Sequence, residues 1–262
     1  MMRSMLIGAT GMLAQEMNVE VISNNIANIS TSGFKRERAE FQDLLYENLR
    51  RPGSTSNDAG NIVPTGVQIG TGVKTAAVYR INSQGSINMT DNPLDVAVSG
   101  KGYLQVQLPD GSTAYTRAGS LQLNADGVIV NADGYPVLPQ ITVPPAAIDI
   151  TINSSGQVLV KVDGTTEPTS VGQLQLATFV NPAGLEAIGF NLLTETPASG
   201  TATTGNPAST GFGEIRQGML ENSNVNVVQE ITSLITAQRA YEMNSRVIKA
   251  SDEMMQAINQ LR

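Results

Sequence analysis

From residue 225 to residue 261 the chain has neither Gly nor Pro, and its apolar residues fall into two stripes. Ile231, Leu234, Tyr241, Ile248 and Met255 are spaced by three and then by sevens, the seam of a coiled coil. Ala237, Ala240, Val247, Met254, Ile258 and Leu261 form a second stripe offset by about one residue. At ~1.5 Å per residue this predicts a helical rod of roughly 55 Å. Asn222, Ser223 and Asn224 offer N-cap oxygens at its start. Gln238, Ser245 and Asp252 recur every seven residues in the first seam, where polar groups cost stability but fix register. Two stripes predict neighbours on two sides, or else a helix buried within one large domain.

At the opposite end Met5, Met12, Val19 and Ile26 lie seven apart, with Ile22 and Ile29 at intermediate positions. Residues 3–29 are therefore predicted to form a second amphipathic helix. Burying one seam yields on the order of 10–15 kcal/mol. Ordering about 37 residues costs roughly 1–2 kcal/mol each. The terminal helices are thus expected to fray in a free monomer and to become ordered when subunits pack side by side.

Between the helices the pattern changes to short β-branched or alternating runs at 75–81, 94–98, 102–108, 128–131, 148–152, 157–162 and 173–179. Asp110-Gly111, Asp126-Gly127, Asp133-Gly134 and Asp163-Gly164 are hairpin-turn dipeptides. Residues 46–73 are polar and turn-prone, a flexible linker by composition, and 194–213 read as an exposed return link. The fold class is α+β: terminal helices forming an α-helical coiled-coil domain, with an extended segment and an inserted all-β domain between them. Four segments follow: a polymerisation helix at 1–32, an extended segment at 33–75, a β-rich outer domain with its return link at 76–218, and a second polymerisation helix at 219–262.

Composition removes most chemistry. The chain contains no Cys and no His, so thiolate and imidazole nucleophiles, bases and metal ligands are absent. Asp91 with Asp95 and Asp126 with Asp133 are the obvious carboxylate pairs for a glycosidase, but neither has an identifiable partner. Asn124-Ala-Asp-Gly127 and Asn131-Ala-Asp-Gly134 lack the full ligand pattern of a calcium loop and read as two turns. No catalytic residue, cofactor or metal site is assigned, and the chain is read as a non-enzyme.

Net charge is −7. Residues 76–218 carry five Lys or Arg against eleven Asp or Glu, which argues against nucleic acid as a partner. No apolar run reaches the ~18 residues of a membrane span. Arg3 followed by residues 5–14 faintly suggests a secretory signal, but Gly8, Thr10 and Gly11 dilute it and the heptad continues to Ile29.

Asn24-Asn-Ile-Ala-Asn28 with Thr31, Gly33, Phe34 and Lys35 resembles the N-terminal signature of the bacterial flagellar axial proteins, the rod, hook and hook-associated subunits. Leu220-Glu-Asn-Ser-Asn-Val225, Gln238-Arg-Ala-Tyr241, which contains Arg239, and Ser251-Asp-Glu-Met254 resemble the C-terminal signature of that family. Pro64, Gly66, Gln68, Gly70, Gly72 and Val73 are similar to an element that, with the segment before it, marks distal rod subunits. Asp91-Asn-Pro-Leu-Asp-Val-Ala-Val98 and Tyr115-Thr-Arg-Ala-Gly119 resemble the shared β core.

The resemblance implies a subunit that self-polymerises into a helical rod, a drive shaft carrying torque to the hook. Its implied partners are proximal rod and hook subunits, the rings in peptidoglycan and outer membrane, the rod cap and the flagellar type III export apparatus. Nucleic acid and membrane insertion are not implied. The implied location is the basal body, from periplasm to outer membrane, reached without signal cleavage. The implied polymer interface comprises the helix positions named above with Val247 and Met254, and residues 46–73 would stiffen the rod. A proximal rod or hook subunit, and a secreted β-domain adhesin, are the alternatives.

Overall fold

The structure, a computed structural model, describes residues 2–53, 65–163 and 167–260. Pro64, Leu261 and the middle of the 46–73 segment lie outside the described residues. The chain divides into two compact units, one of residues 1–26, 37–79 and 226–262, the other of residues 27–36 and 80–225.

The first unit holds both long helices. Helix α1 spans Met2–Ala27, and helix α2 spans Val227–Gln260. Both are long enough to be seen from periodicity alone, and both start or stop within about two residues of the predicted bounds. The cap of α2 differs from expectation. Asn226 Oδ1 accepts from the amides of Val228 (3.1 Å) and Gln229 (3.3 Å), so Asn226 is the N-cap. Replacing Asn226 by Ala should cost about 1 kcal/mol and fray the first turn of α2, which thermal unfolding followed by circular dichroism would measure.

The described parts of the 46–73 segment are paired strands. Strand Tyr46–Arg50 pairs antiparallel with Val67–Gly70, and Glu37–Asp43 pairs with Val73–Arg80. The amide of Leu44 donates to Gly72 O (2.8 Å) and that of Thr71 to Leu45 O (3.3 Å), which joins the two ladders into one long hairpin. Tyr46–Arg50 is exposed at every position, so neither strand carries the apolar alternation by which strands are recognised.

The second unit is a β body. Its largest sheet runs in the order Glu186–Gly189, Leu192–Thr194, Thr113–Thr116, Tyr103–Gln107, Leu176–Thr178, Thr203–Gly205, with Val137–Leu138 also paired to Tyr103–Gln107. A three-stranded sheet of Ala147–Ile152, Gln157–Val162 and Thr169–Gln173 packs its buried Ile152, Val158 and Val160 into the same core as Leu104, Val106, Leu121, Ile129, Leu174 and Leu176. The single strand expected over 173–179 is thus two strands in different sheets. The expected return link is also structured: Thr203–Gly205 closes one edge of the large sheet, and Ser199 is buried by bonds to the backbone of Thr196 and Gly200.

The two Asn-Ala-Asp-Gly repeats are turns of one design, and Asn153-Ser-Ser-Gly156 is a third copy. In each, the Asn side-chain oxygen accepts from the amide four residues on, at 2.8 Å from Val128, Tyr135 and Gln157. In each, the Gly amide returns to the Asn carbonyl and Gly takes positive φ, the left-handed geometry that the residue adopts without strain.

Candidate functional site: buried polar latches and open helix faces

Within the first unit α1 and α2 run antiparallel. Ser4 Oγ meets Ser251 Oγ at 3.0 Å, and Asn25 Nδ2 donates to Glu230 Oε2 at 3.2 Å. Between these points a Cβ added to Gly8 would lie 2.9 Å from Ile248 Cγ1, and one added to Gly11 would lie 2.8 Å from Asn244 Nδ2. Small residues therefore set the close approach. Ala14, Ile22, Ala237 and Ser251 are buried. Of the predicted interface positions on α1, Met5, Met12, Val19 and Ile26 are half-buried, as is Ile29 beyond the helix.

Along α2 the predicted positions divide. Leu234, Ile248 and Met255 are half-buried, while Gln238 and Arg239 are exposed. Ile231, Tyr241, Val247, Met254 and Ile258 keep between 44% and 49% of their surface exposed. Val228 at 75%, Met243 at 60% and, on α1, Leu13 at 65% are still more open. These faces were undervalued by seam counting, because Val228, Met243 and Leu13 lie off the heptad positions.

Asn25 sits at a junction of three segments. Its Oδ1 accepts from the amide of Glu37 (2.8 Å), and its Nδ2 donates to Glu37 O (2.8 Å) as well as to Glu230. Asn24 Nδ2 donates to Glu37 Oε2 at 3.2 Å. One amide side chain thus fixes the end of α1, the root of the hairpin and the first turn of α2, which is a physical reason for Asn in this signature. Gly66 and Gly72 are also explained by contact. A Cβ on Gly66 would stand 2.3 Å from Arg50 O, and one on Gly72 2.3 Å from Thr10 Oγ1. Gln68 pairs with Asn48 and Gly70 with Tyr46 in the hairpin ladder.

The second unit contains a buried charge cluster that sequence reasoning missed. Glu221, fully buried, accepts from Lys35 Nζ on Oε1 (2.6 Å) and from Arg117 Nε on Oε2 (2.6 Å). The Gly85 amide donates to Oε1 as well, at 3.0 Å. Arg117 spends its remaining donors on the carbonyls of Gly102, Gly100 and Val98, and Lys35 Nζ reaches Ser83 O. Burial by itself would raise the Glu221 carboxyl, but Arg117, Lys35 and the Gly85 amide outweigh it and hold it below the ordinary carboxylate value. Burial lowers the Lys35 ammonium, and the attraction of Glu221 offsets only part of this.

Around this cluster the two signatures meet. The Gly33 amide donates to Glu221 O (2.8 Å), and Gly33 takes φ +72 against the backbone of Arg117. Arg36 N donates to Asn224 Oδ1 (2.7 Å), while Asn224 Nδ2 donates to Ile81 O and Ser83 O. Asn224 is thereby occupied and cannot cap α2. Asn222 N donates to Ser86 O, and Ser223 Oγ accepts from Val225 N. Ala27 is exposed, and Asn28 and Phe34 are half-buried. The signal for this cluster was present: Lys35, Arg117 and Glu221 stand in three separate signature stretches, and each stretch supplies one of its three charges.

Buried polar latches with long, half-exposed apolar helix faces define a structural class of α+β protein. Residues 5–35 match the family described as "Flagella basal body rod protein", 97–160 the "Flagellar hook protein FlgE/F/G D1 domain" and 216–261 the "Flagellar basal body rod FlgEFG protein C-terminal". The chain is 60% identical over 261 residues to "Flagellar basal-body rod protein FlgG" of Caulobacter vibrioides, covering 100% of both chains. It is 51% identical over 258 residues to the protein of that name in Agrobacterium fabrum, covering 98% of both, and 38% over 267 residues to that of Bacillus subtilis, covering 100% of both. The chain belongs to the flagellar basal-body rod protein family, as a structural subunit of the distal rod and not an enzyme.

Proposed function

We infer that copies of this chain polymerise through the outward apolar faces of α1 and α2, in coiled-coil fashion, into the straight shaft that turns within the basal body. The observation that carries this reading is the exposure of apolar residues of both stripes along α2: Val228, Ile231, Ile235, Tyr241, Val247, Met254 and Ile258 are each at least 44% exposed. A soluble helix of 34 residues gains stability from packing its apolar stripe, and these residues have only part of that packing within the chain. The shaft would cross the periplasm to the outer membrane and pass through the peptidoglycan and outer-membrane rings. It would meet proximal rod subunits at one end and the hook at the other, with the rod cap and the type III export apparatus serving its assembly. Export would proceed without removal of α1, whose Asn25 is needed at the junction with Glu37 and Glu230. No helix among the described residues is long and apolar enough to cross a membrane.

The long hairpin supplies stiffness in this reading. Removing residues 51–61 should leave polymerisation intact and make the rods pliable. Electron microscopy of the resulting polymers tests this, and rods as straight as those of the parent chain would remove the hairpin from the stiffening role.

A further inference from the structure

Three contacts between the hairpin and α1 fall in order along both. Asn25 holds Glu37, Thr10 meets Gly72 and Val73, and Arg3 pairs with Glu47. The hairpin therefore runs back along α1 from its C-terminal end to its N-terminal end. At about 100° per residue, Arg3, Thr10, Ala14 and Val21 share one face of α1, while Ser4, Gly8, Gly11 and Asn25 share the adjoining face that meets α2. Ala14 and Val21, at 4% and 6% exposure, are buried on the side where these faces adjoin. Leu6, Leu13, Glu16 and Glu20 remain on the open side. Helix α1 is thus held on two adjoining faces, one by α2 and one by the hairpin.

The central contact is the tight one. Thr10 Oγ1 donates to Ile7 O at 2.9 Å and so belongs to the wall of the helix. The Val73 amide donates to the same oxygen through a long bond of 3.4 Å. Gly72 has φ +132, a conformation favouring glycine, and has no side chain to hold the strand away from Thr10. Support is needed here, because Gly8 and Gly11 weaken the N-terminal half of α1. The helix also carries no acidic residue in its first turn and no basic residue in its last to complement its dipole.

We propose that the hairpin is a splint on α1 and that Thr10 and Gly72 are the positioning residues that fasten it, so that rod stiffness begins inside the single subunit. This rests on the reading of the hairpin as the stiffening segment. It adds that the hairpin acts first on its own helix and only then on neighbours. A helix clamped on two faces resists bending more than one clamped on a single face.

The test uses the full chain at a concentration below assembly, with amide hydrogen exchange over residues 6–13 as the first readout and bending of assembled rods as the second. Against the fraying expected of the terminal helices from sequence alone, the splint should leave these amides protected in the unassembled parent chain. Gly72→Ala and, independently, Thr10→Val should speed their exchange at least tenfold while leaving residues 103–107 of the β body unchanged. Thr10→Ser, which keeps the oxygen, should retain near-parental protection. Unprotected amides in the parent chain, or equal protection in Gly72→Ala and Thr10→Val, would overturn the splint. Faster exchange with rods that remain fully stiff would instead leave the splint in place and overturn the stiffening reading on which its role depends.

Discussion

Replacing Glu221 by Gln should destabilise the β body by about 3–5 kcal/mol at pH 7, the scale for removing one partner from a buried ion pair. The cluster loses its anion, and the buried Lys35 and Arg117 are left facing a neutral amide. Each charged nitrogen of the cluster has a hydrogen-bond partner in the parent, so the cost comes from stranding two cations as much as from the lost attraction. Denaturant unfolding followed at the tyrosines would measure it, since Tyr103 and Tyr115 pack edge-on against Phe179 inside the same unit.

The pH dependence gives a second readout. Glu221 in the folded chain titrates below its ordinary value of 4.5. Between those two values the unfolded chain binds more protons, so stability falls as pH falls through this window. Parent and variant should therefore converge in acid. A constant gap from pH 7 down to the lowest pH at which the parent folds would show that the charge of Glu221 does not hold the cluster.

What the sequence disclosed depends on which physical signal each element leaves. The helices were legible because an uninterrupted period of 3.6 over more than twenty residues has no competing explanation. A joint coiled-coil domain was expected of them, but the small and polar residues that set their closest contacts, Ser4, Gly8, Gly11, Asn244 and Ser251, leave no apolar stripe to count. The Asp-Gly turns at 110–111, 126–127 and 133–134 were legible from local chemistry, while the third Asn turn at 153–156 lacks the Asp that drew attention to the other two. The outer part of the hairpin was hidden because Tyr46–Arg50 and Val67–Gly70 are exposed at nearly every position and leave no alternation, and its glycines read as flexibility when they in fact permit close approach. Asn222, Ser223 and Asn224 looked like caps because they precede a helix. Tertiary bonds to Ile81, Ser83 and Arg36 claimed Asn224 instead, and the cap moved two residues onward.

Replacing Ile231, Val247 and Ile258 together by Asp should abolish assembly at working concentrations while leaving both units folded. Each is nearly half exposed within the chain, so assembly can bury about half of a side chain that is worth ~1.5–3 kcal/mol when fully buried. Three such losses come to roughly 2–4 kcal/mol per subunit, a rise of about 30- to 700-fold in critical concentration at ~1.4 kcal/mol per tenfold. The introduced carboxylates add a desolvation cost on top. Ile248 is a poorer choice for the same purpose, because it packs against Gly8 and its loss would disturb the helix pair itself. Sedimentation velocity resolves the outcome: a variant with parental circular dichroism that sediments only as a monomer is expected. Polymers forming at the parental concentration would show that the exposed apolar faces of α2 are not the surfaces through which copies meet.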